Sequence, residues 1–329
     1  MRKPVAEGWD PVVRRNFVLN VLDGSFYALA MSLASRTTVL PIFVQKVGGD
    51  NVAVGLLPVL WLVGFNLPQI FIANYAQQAP SKKRIILWTA MLQRLPWLLL
   101  AWLAFEWVDA VTPPAALLLF FVGFGMAAVA GSLNLPPWFD LVAKVTPVRL
   151  RGRLFGIRTF LGGGLGILGG FVAERVLETM VFPDSFGLLF ALTFGVTAVS
   201  YAFLVLLKEG DRTVPKRRLR YREFLRGLPE ILRRQKNYRN FLVAEALALT
   251  ALMGEAFFMV DAFARFGLSE GYAGRFTMVL MVSMLVGAFG FGWVADRFGH
   301  RLTLVLAAVS TVFGCLAAIA APTVEVYAL

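Results

Sequence analysis

A helix crosses the ~30 Å hydrocarbon core of a bilayer with about 20 mostly apolar residues, and this chain of 329 residues carries nine runs of that kind. They lie near residues 17–44, 52–78, 85–107, 113–142, 154–181, 185–207, 240–263, 272–295 and 302–321. The predicted fold class is therefore an all-α polytopic membrane protein. Charged residues make up only 16% of the chain, against about 25% in soluble domains, which argues against an ordinary cytosolic enzyme. The first run is long for one span and predicts a tilt or a break. It also lacks a small-residue cleavage site and reads as a retained span rather than a signal peptide. Pro68, Pro96, Pro136 and Pro137 fall inside spans, where neighbouring helices re-satisfy freed backbone groups.

A net charge of +12 would suggest nucleic acid in a soluble protein, so its distribution decides. With the N-terminus inside, 26 of the 32 Lys and Arg fall on that side. They are Arg2 to Arg15, Lys82 to Arg84, the stretch from Lys144 to Arg158, twelve between Lys208 and Arg239, and Arg297 with Arg301. That bias is the positive-inside pattern. It predicts a cytoplasmic N-terminus in the inner membrane and no nucleic-acid partner, and nine spans would leave the C-terminus outside. One His, His300, and one Cys, Cys315, leave too little for a His/Cys metal centre, a disulfide framework or a nucleophilic triad. No metal, no cofactor and no enzymatic activity are expected.

Residues 208–239 interrupt the apolar rhythm and divide the chain into a six-helix bundle, 1–207, a basic cytoplasmic linker, and a partial three-helix bundle, 240–329. Within the linker, Tyr221, Phe224, Leu225, Leu228, Ile231 and Leu232 recur at helical spacing, with Arg220, Arg222, Arg226, Arg233 and Arg234 between them. The pattern predicts an amphipathic helix at 219–234 lying on anionic inner-leaflet lipids, with an arm for a soluble partner as the other reading.

The eighth run ends in Gly292-Trp-Val-Ala-Asp296-Arg297-Phe-Gly299-His300-Arg301. Glycine permits a tight reversal, and an acid flanked by bases can cap a helix or hold a neighbouring one. The stretch resembles the loop signature of the major facilitator superfamily, G-x-x-x-D-R-x-G-R/H-R, which lies between the second and third helices of a six-helix repeat. In the first half the same loop has Gln77 in place of the acid and Pro80 in place of glycine, ahead of Lys82, Lys83 and Arg84. Between the fourth and fifth runs, Pro147-Val-Arg149-Leu-Arg151-Gly152-Arg153 looks like the R-G-R turn of the same superfamily.

The resemblance covers essentially the whole chain. It implies two bundles that rock about a midplane site, with helices one, four, seven and ten around the pathway. It also implies a cytoplasmic gate at Gly292, Asp296, Arg297, Gly299 and Arg301. The superfamily has twelve helices, so three more are expected, missing through truncation or supplied from elsewhere. Two signatures of its drug antiporters are absent: Leu119 stands where an Arg is found in the fourth helix, and Leu165 to Gly170 lacks the proline of the fifth.

Ionisable groups inside spans cost several kcal/mol each unless paired or wetted, which makes them the functional candidates. Asp23 lies ~9 Å and Arg94 ~14 Å from the same end of their spans, predicting an ion pair that either staples the bundle or couples protons or substrate. Asn20, Asp23 and Tyr27 share a face that can line a cavity. Glu245 and Glu255 lie about 80° apart on the seventh span, Glu255 ~21 Å from the inner end, as a transport acid or a buried structural hydrogen-bond partner. Arg36 and Arg94 are the candidate counter-charges.

Asp261 with Arg265 predicts a surface pair, and Asp140 a pair with the cluster Arg149 to Arg158. Asn66, Gln69 and Gln77 read as helix glue or cavity lining. Gly162, Gly166 and Gly170 predict a close helix contact, while the G-x-G-x-x-G in Gly164 to Gly169 has no strand before it and is no dinucleotide motif. The expected protein is a monomeric secondary transporter of a small organic solute, with a proton as candidate coupling ion. A scaffold or receptor on the same bundle, or a lipid or lysolipid flippase, is the alternative.

Overall fold

The computed structural model describes residues 10–78, 81–108, 110–210, 229–230, 232–251 and 254–328. Its helices are α1 (Pro11–Leu33), α2 (Val39–Lys46), α3 (Asn51–Asn66), α4 (Gln69–Gln78), α5 (Lys82–Trp102, continued by a π-turn at Leu103–Trp107), α6 (Pro113–Val145), α7 (Val148–Thr179) and α8 (Asp184–Leu206). After the linker come α9 (Lys236–Ala251), α10 (Glu255–Phe266), α11 (Tyr272–Phe298), α12 (His300–Ala320) and the short α13 (Val324–Ala328). Among the described residues, eight segments are long and apolar enough to span a bilayer. The linker helix predicted at 219–234 falls largely outside the described residues.

The first predicted span, 17–44, is two helices and is not among those eight. Asn16, Asn20, Asp23, Ser25 and Ser32 are buried along α1 and give it a polar face inside the bundle. Its chain breaks between Ala34 and Thr38, which sets Arg36 free of either helix. The local starts are chemically ordinary. Asp10 caps α1, accepting from Val12 N at 2.9 Å with Pro11 at the first position. Asp50 caps α3 through Ala53 N at 2.8 Å, and Ser81 caps α5. Pro58, Pro96, Pro136 and Pro137 all lie inside helices, as bundle packing permits.

Two packing centres position everything else. At the end opposite the basic loops, α2 is buried from Val39 to Val44. Its Phe43 sits among Phe120, Phe186 and Phe190 at ring distances of 5.1, 5.3 and 5.2 Å. Between the two groups of helices, α7 is a wedge of glycines. A Cβ on Gly162 would meet Ala28 of α1, and one on Gly169 would strike Ser32 of the same helix. Gly166 and Gly170 instead face Met281 and Gly274 of α11. The stripe read in the sequence thus serves two neighbours, not one.

The basic end is tied by reciprocal capping. Glu209, just past α8, accepts from Ser81 Oγ at 2.8 Å and from the backbone N–H groups of Lys82 and Lys83 at 3.1 Å each, the first N–H groups of α5. Lys83 Nζ returns to the last carbonyls of α8, Val205 O at 2.6 Å and Leu207 O at 2.7 Å. Asn16 of α1 closes the junction, donating to Lys208 O at 2.8 Å and accepting from Lys208 N at 3.0 Å. Each helix end thus has the opposite charge set against its dipole.

Burial alone would raise the Glu209 pKa, but the hydrogen bonds from Ser81, Lys82, Lys83 and Lys144 outweigh it and hold the carboxyl below its ordinary value of 4.5. A depressed folded pKa contributes stability above the unfolded value and loses it as pH falls through the folded one. Glu209→Ala is expected to lower stability by about 1 kcal/mol at pH 7 and to flatten the acid limb of a detergent melting profile below that ordinary value. At the α7–α11 contact, a Cβ on Gly274 would collide with Glu174 N, a backbone atom that cannot yield. Gly274→Ala should cost about 1–3 kcal/mol, read as a lower melting temperature, whereas Gly152→Ala, with nothing within 4 Å, should be near neutral.

Candidate functional site

Helices α1, α5, α7 and α8 converge on one carboxylate. Asp23 is 3% exposed. Its Oδ1 accepts from Ser200 Oγ of α8 at 2.7 Å, and its Oδ2 from Arg158 Nη1 of α7 at 3.4 Å. Arg94 of α5 does not touch it. Arg94 Nη2 donates to Ser200 Oγ at 3.0 Å, so the hydroxyl relays between guanidinium and carboxylate. The remaining nitrogens of Arg94 are taken by Thr197 O at 2.7 Å and Ala90 O at 2.8 Å, with Tyr201 5.3 Å under the charge.

Arg158 is held differently. Its Nη1 also donates to Asn20 O at 3.2 Å, and its guanidinium lies 4.5 Å over the Trp138 ring of α6. A Cβ at position 24 would collide with Arg158 Nε, so Gly24 is what lets the side chain lie flat on α1. Tyr27 completes the α1 face, its hydroxyl accepting from Gln93 Nε2 at 2.7 Å. These groups border a cavity of about 130 Å³ whose other walls include Phe65, Asn134, Leu135 and Trp138. That is room for several waters or the head of a small ligand.

The expected Asp23–Arg94 ion pair is therefore replaced by Asp23–Arg158, with Arg94 linked through Ser200. In the sequence Arg158 groups with the loop charges because it comes soon after the R-G-R stretch. Yet α7 begins at Val148, which carries Arg158 ~15 Å into the helix. Asp140 accordingly does not receive it. The R-G-R stretch is itself helical: Arg151 reaches back to Ala143 O at 2.6 Å and Thr146 O at 3.2 Å at the end of α6, while Arg149, Gly152 and Arg153 are exposed. Ser200, Thr197, Gln93, Asn134 and Trp138 join the site without a sequence expectation behind them. The signal available for α8 is a polar stripe at helical spacing, Thr193, Thr197 and Ser200, all fully buried.

A second charged pair lies between the two groups of helices. Arg36, in the break after α1, meets Glu255 at the start of α10 at 3.7 Å, and its guanidinium lies 5.1 Å over Trp61. Glu255 is placed ~16 Å from the far end of its helix. Glu245 is exposed on α9 and has no ion pair among the described residues. Asp261 and Arg265 do not pair: Asp261 accepts from Tyr327 at 3.0 Å, and Arg265 caps the end of α12 through Ala318 O and Ala321 O at 3.0 and 2.7 Å. Asn66 donates to Leu62 O of its own helix and Gln69 of α4 reaches back to Phe65 O of α3, each at 2.8 Å, and the side chain of Gln77 is outside the described part of the structure.

At the eighth span, Gly299 makes the turn with φ +88°, as its motif required. Gly292 and Asp296 are inside α11, with Asp296 near its C-terminal end, and Arg297 stacks on Trp293 at 5.6 Å. Among the described residues, no ion pair joins Asp296, Arg297 and Arg301.

The sequence pattern of the Major Facilitator Superfamily matches residues 25–329. The chain belongs to that superfamily. No curated protein matches it in sequence, but solved transporters match its fold. A bacterial homologue of the human lysosomal transporter Spinster, inward-facing and unoccupied, superposes with a TM-score of 0.67 at 14% identity, over 97% of this chain and 71% of the other. The xylose transporter XylE from E. coli, partially occluded and inward-open, gives 0.62 at 16%, over 96% and 82%. The nucleoside transporter NupG gives 0.62 at 12%, over 88% and 69%. The chain is thus a multi-pass membrane protein of a transporter superfamily.

Ser200 is the shared partner of Arg94 and Asp23. Ser200→Ala should leave two buried polar groups short of a partner and cost about 1–3 kcal/mol, measured as loss of thermal stability of the purified protein. Ser132→Ala, whose fully buried hydroxyl has no partner among the described residues, should cost less.

Proposed function

We propose that the protein is a secondary transporter moving a small organic solute across the cytoplasmic membrane by alternating access, with a proton on Asp23 as the coupling ion. One observation carries the reading: among the described residues, polar contacts between α1–α8 and α9–α13 occur at mid-depth and at one end only. Toward the end opposite the basic loops, Arg275 binds Glu174 at 2.6 Å and Glu178 at 3.1 Å, Lys46 binds Glu270 at 2.5 Å, and Thr38 meets Thr277 at 2.6 Å. At mid-depth stands only Arg36 with Glu255. On this reading the contacted side is the closed one and the other the open one, a single state of a rocking cycle.

The basic loops set the open side toward the cytoplasm, with the 208–239 linker joining the two halves there. Asp23 supplies the coupling chemistry. As a carboxylate it holds Arg158 and Ser200, and as a carboxylic acid it releases the guanidinium, which changes how α1 and α7 are held together. Arg36 and Glu255, facing each other across the halves, form a second contact point that opening must break.

The test is solute uptake into liposomes holding the full chain. With an imposed proton gradient, Asp23→Asn is expected to lose uptake at least tenfold while keeping solute counterflow, and Glu255→Gln to lose both severalfold. Wild-type uptake in both variants would overturn the acid assignment. Solute binding by the unmodified protein without any flux would make it a receptor or scaffold.

A further inference from the structure

The charges at the α1 cavity do not balance. Among the described residues lining it there are two guanidiniums, Arg94 and Arg158, and one acid, Asp23. A guanidinium does not deprotonate in a protein, so at least one positive charge is left over at membrane depth, where an uncompensated charge is costly. The hydrogen bonds show which cation is committed. All three nitrogens of Arg94 have protein acceptors. Arg158 has acceptors only for Nη1, and the one to Asp23 is long at 3.4 Å. Its Nε and Nη2 have none among the described residues.

Asn134, 8% exposed, lines the same cavity; its amide Nδ2–H is the end that can donate to an oxyanion, while its Oδ1, without a partner among the described residues, is left to accept from a hydroxyl or N–H of the ligand. The remaining walls are apolar or aromatic, from Phe65, Leu135, Trp138 and Leu204.

We propose that this cavity binds the oxyanion group of a small organic monoanion, with Arg158 as its principal partner, Asn134 as a second, and Trp138 and Phe65 against the apolar body. The inference deepens the transport reading by naming the substrate class, and depends on that reading only for the steps after binding. Asp23 then acts as the competitor for Arg158. A carboxylate fits this charge arithmetic as it stands and a phosphate monoester, close to a dianion at pH 7, fits it only as its singly protonated monoanion; the two are separable by experiment.

Calorimetric titration of the purified full chain would use three probes sharing one ring: benzoate, phenyl phosphate and the neutral benzamide. One or both anions are expected to bind and benzamide not, the stronger anion identifying the acid group. Arg158→Gln should weaken anion binding at least tenfold, and Arg158→Lys should retain part of it. Asp23→Asn, which removes the competing charge, should strengthen it severalfold, an effect that misfolding cannot imitate. Equal binding of benzamide, unchanged binding by Arg158→Gln, or equal loss in Arg158→Gln and Asp23→Asn would overturn the proposal. Anion binding without flux would leave it standing and refute transport, whereas flux of neutral solutes without anion binding would do the reverse.

Discussion

One buried carboxylate paired with one guanidinium and linked through a hydroxyl to a second is the constraint around which α1, α5, α7 and α8 are arranged. Burying two charges that cannot be lost demands a counter-charge, acceptors and close helix approach at once. Asp23 provides the first, Ser200, Thr197 and Ala90 much of the second, and Gly24 the third. Each comes from a different part of the chain, so the cluster ties α1, α5, α7 and α8 together. A buried ion pair of this kind is weak evidence for stability, because its desolvation offsets its attraction. Its placement against a cavity, with one guanidinium only partly satisfied, is what the proposed substrate class rests on.

The α7 helix links that cluster to the rest of the molecule. One of its faces carries Gly162 and Gly169 against α1, and another carries Gly166 and Gly170 against α11. Gly170 meets the backbone of Gly274 directly, whereas Gly166 receives the Met281 side chain, so the Gly170–Gly274 crossing is the stiffest contact between the two helices. A change at Arg158 therefore acts on the same helix that ends in Glu174 and Glu178, the partners of Arg275 across the two groups. The cavity charges and the Arg275 ion pairs at the far end thus share one helix, which is the element the proposed cycle would use to couple them.

Much of this is legible in the residues alone. Apart from the first, which folds as two helices, runs of apolar residues locate the spans within about six residues, because hydrocarbon thickness sets their length. The Gly299 turn and the glycine stripe of α7 are legible because only glycine fits a positive φ or a backbone contact of that kind. Asp23 and Tyr27 stand out as polar residues where apolar ones are required. Arg158 is hidden for a local reason: it continues a run of arginines at a helix start, and residue counting does not say where a loop stops and a helix begins. Ser200, Thr197 and Asn134 are hidden because uncharged polar residues are common helix glue in membranes.

The sequence by itself determined the class of solvent, most of the spans, the superfamily motif at the eighth run and the presence of ionisable groups at depth, since each follows from local composition against a fixed bilayer thickness. Tertiary structure alone decided which cation meets Asp23, that Arg94 acts through a hydroxyl, that Arg36 finds Glu255, and that Asp261 and Arg265 turn to other partners. Those outcomes depend on helix rotation and relative height, which are set by packing summed over whole helix faces. No spacing along a single chain encodes them.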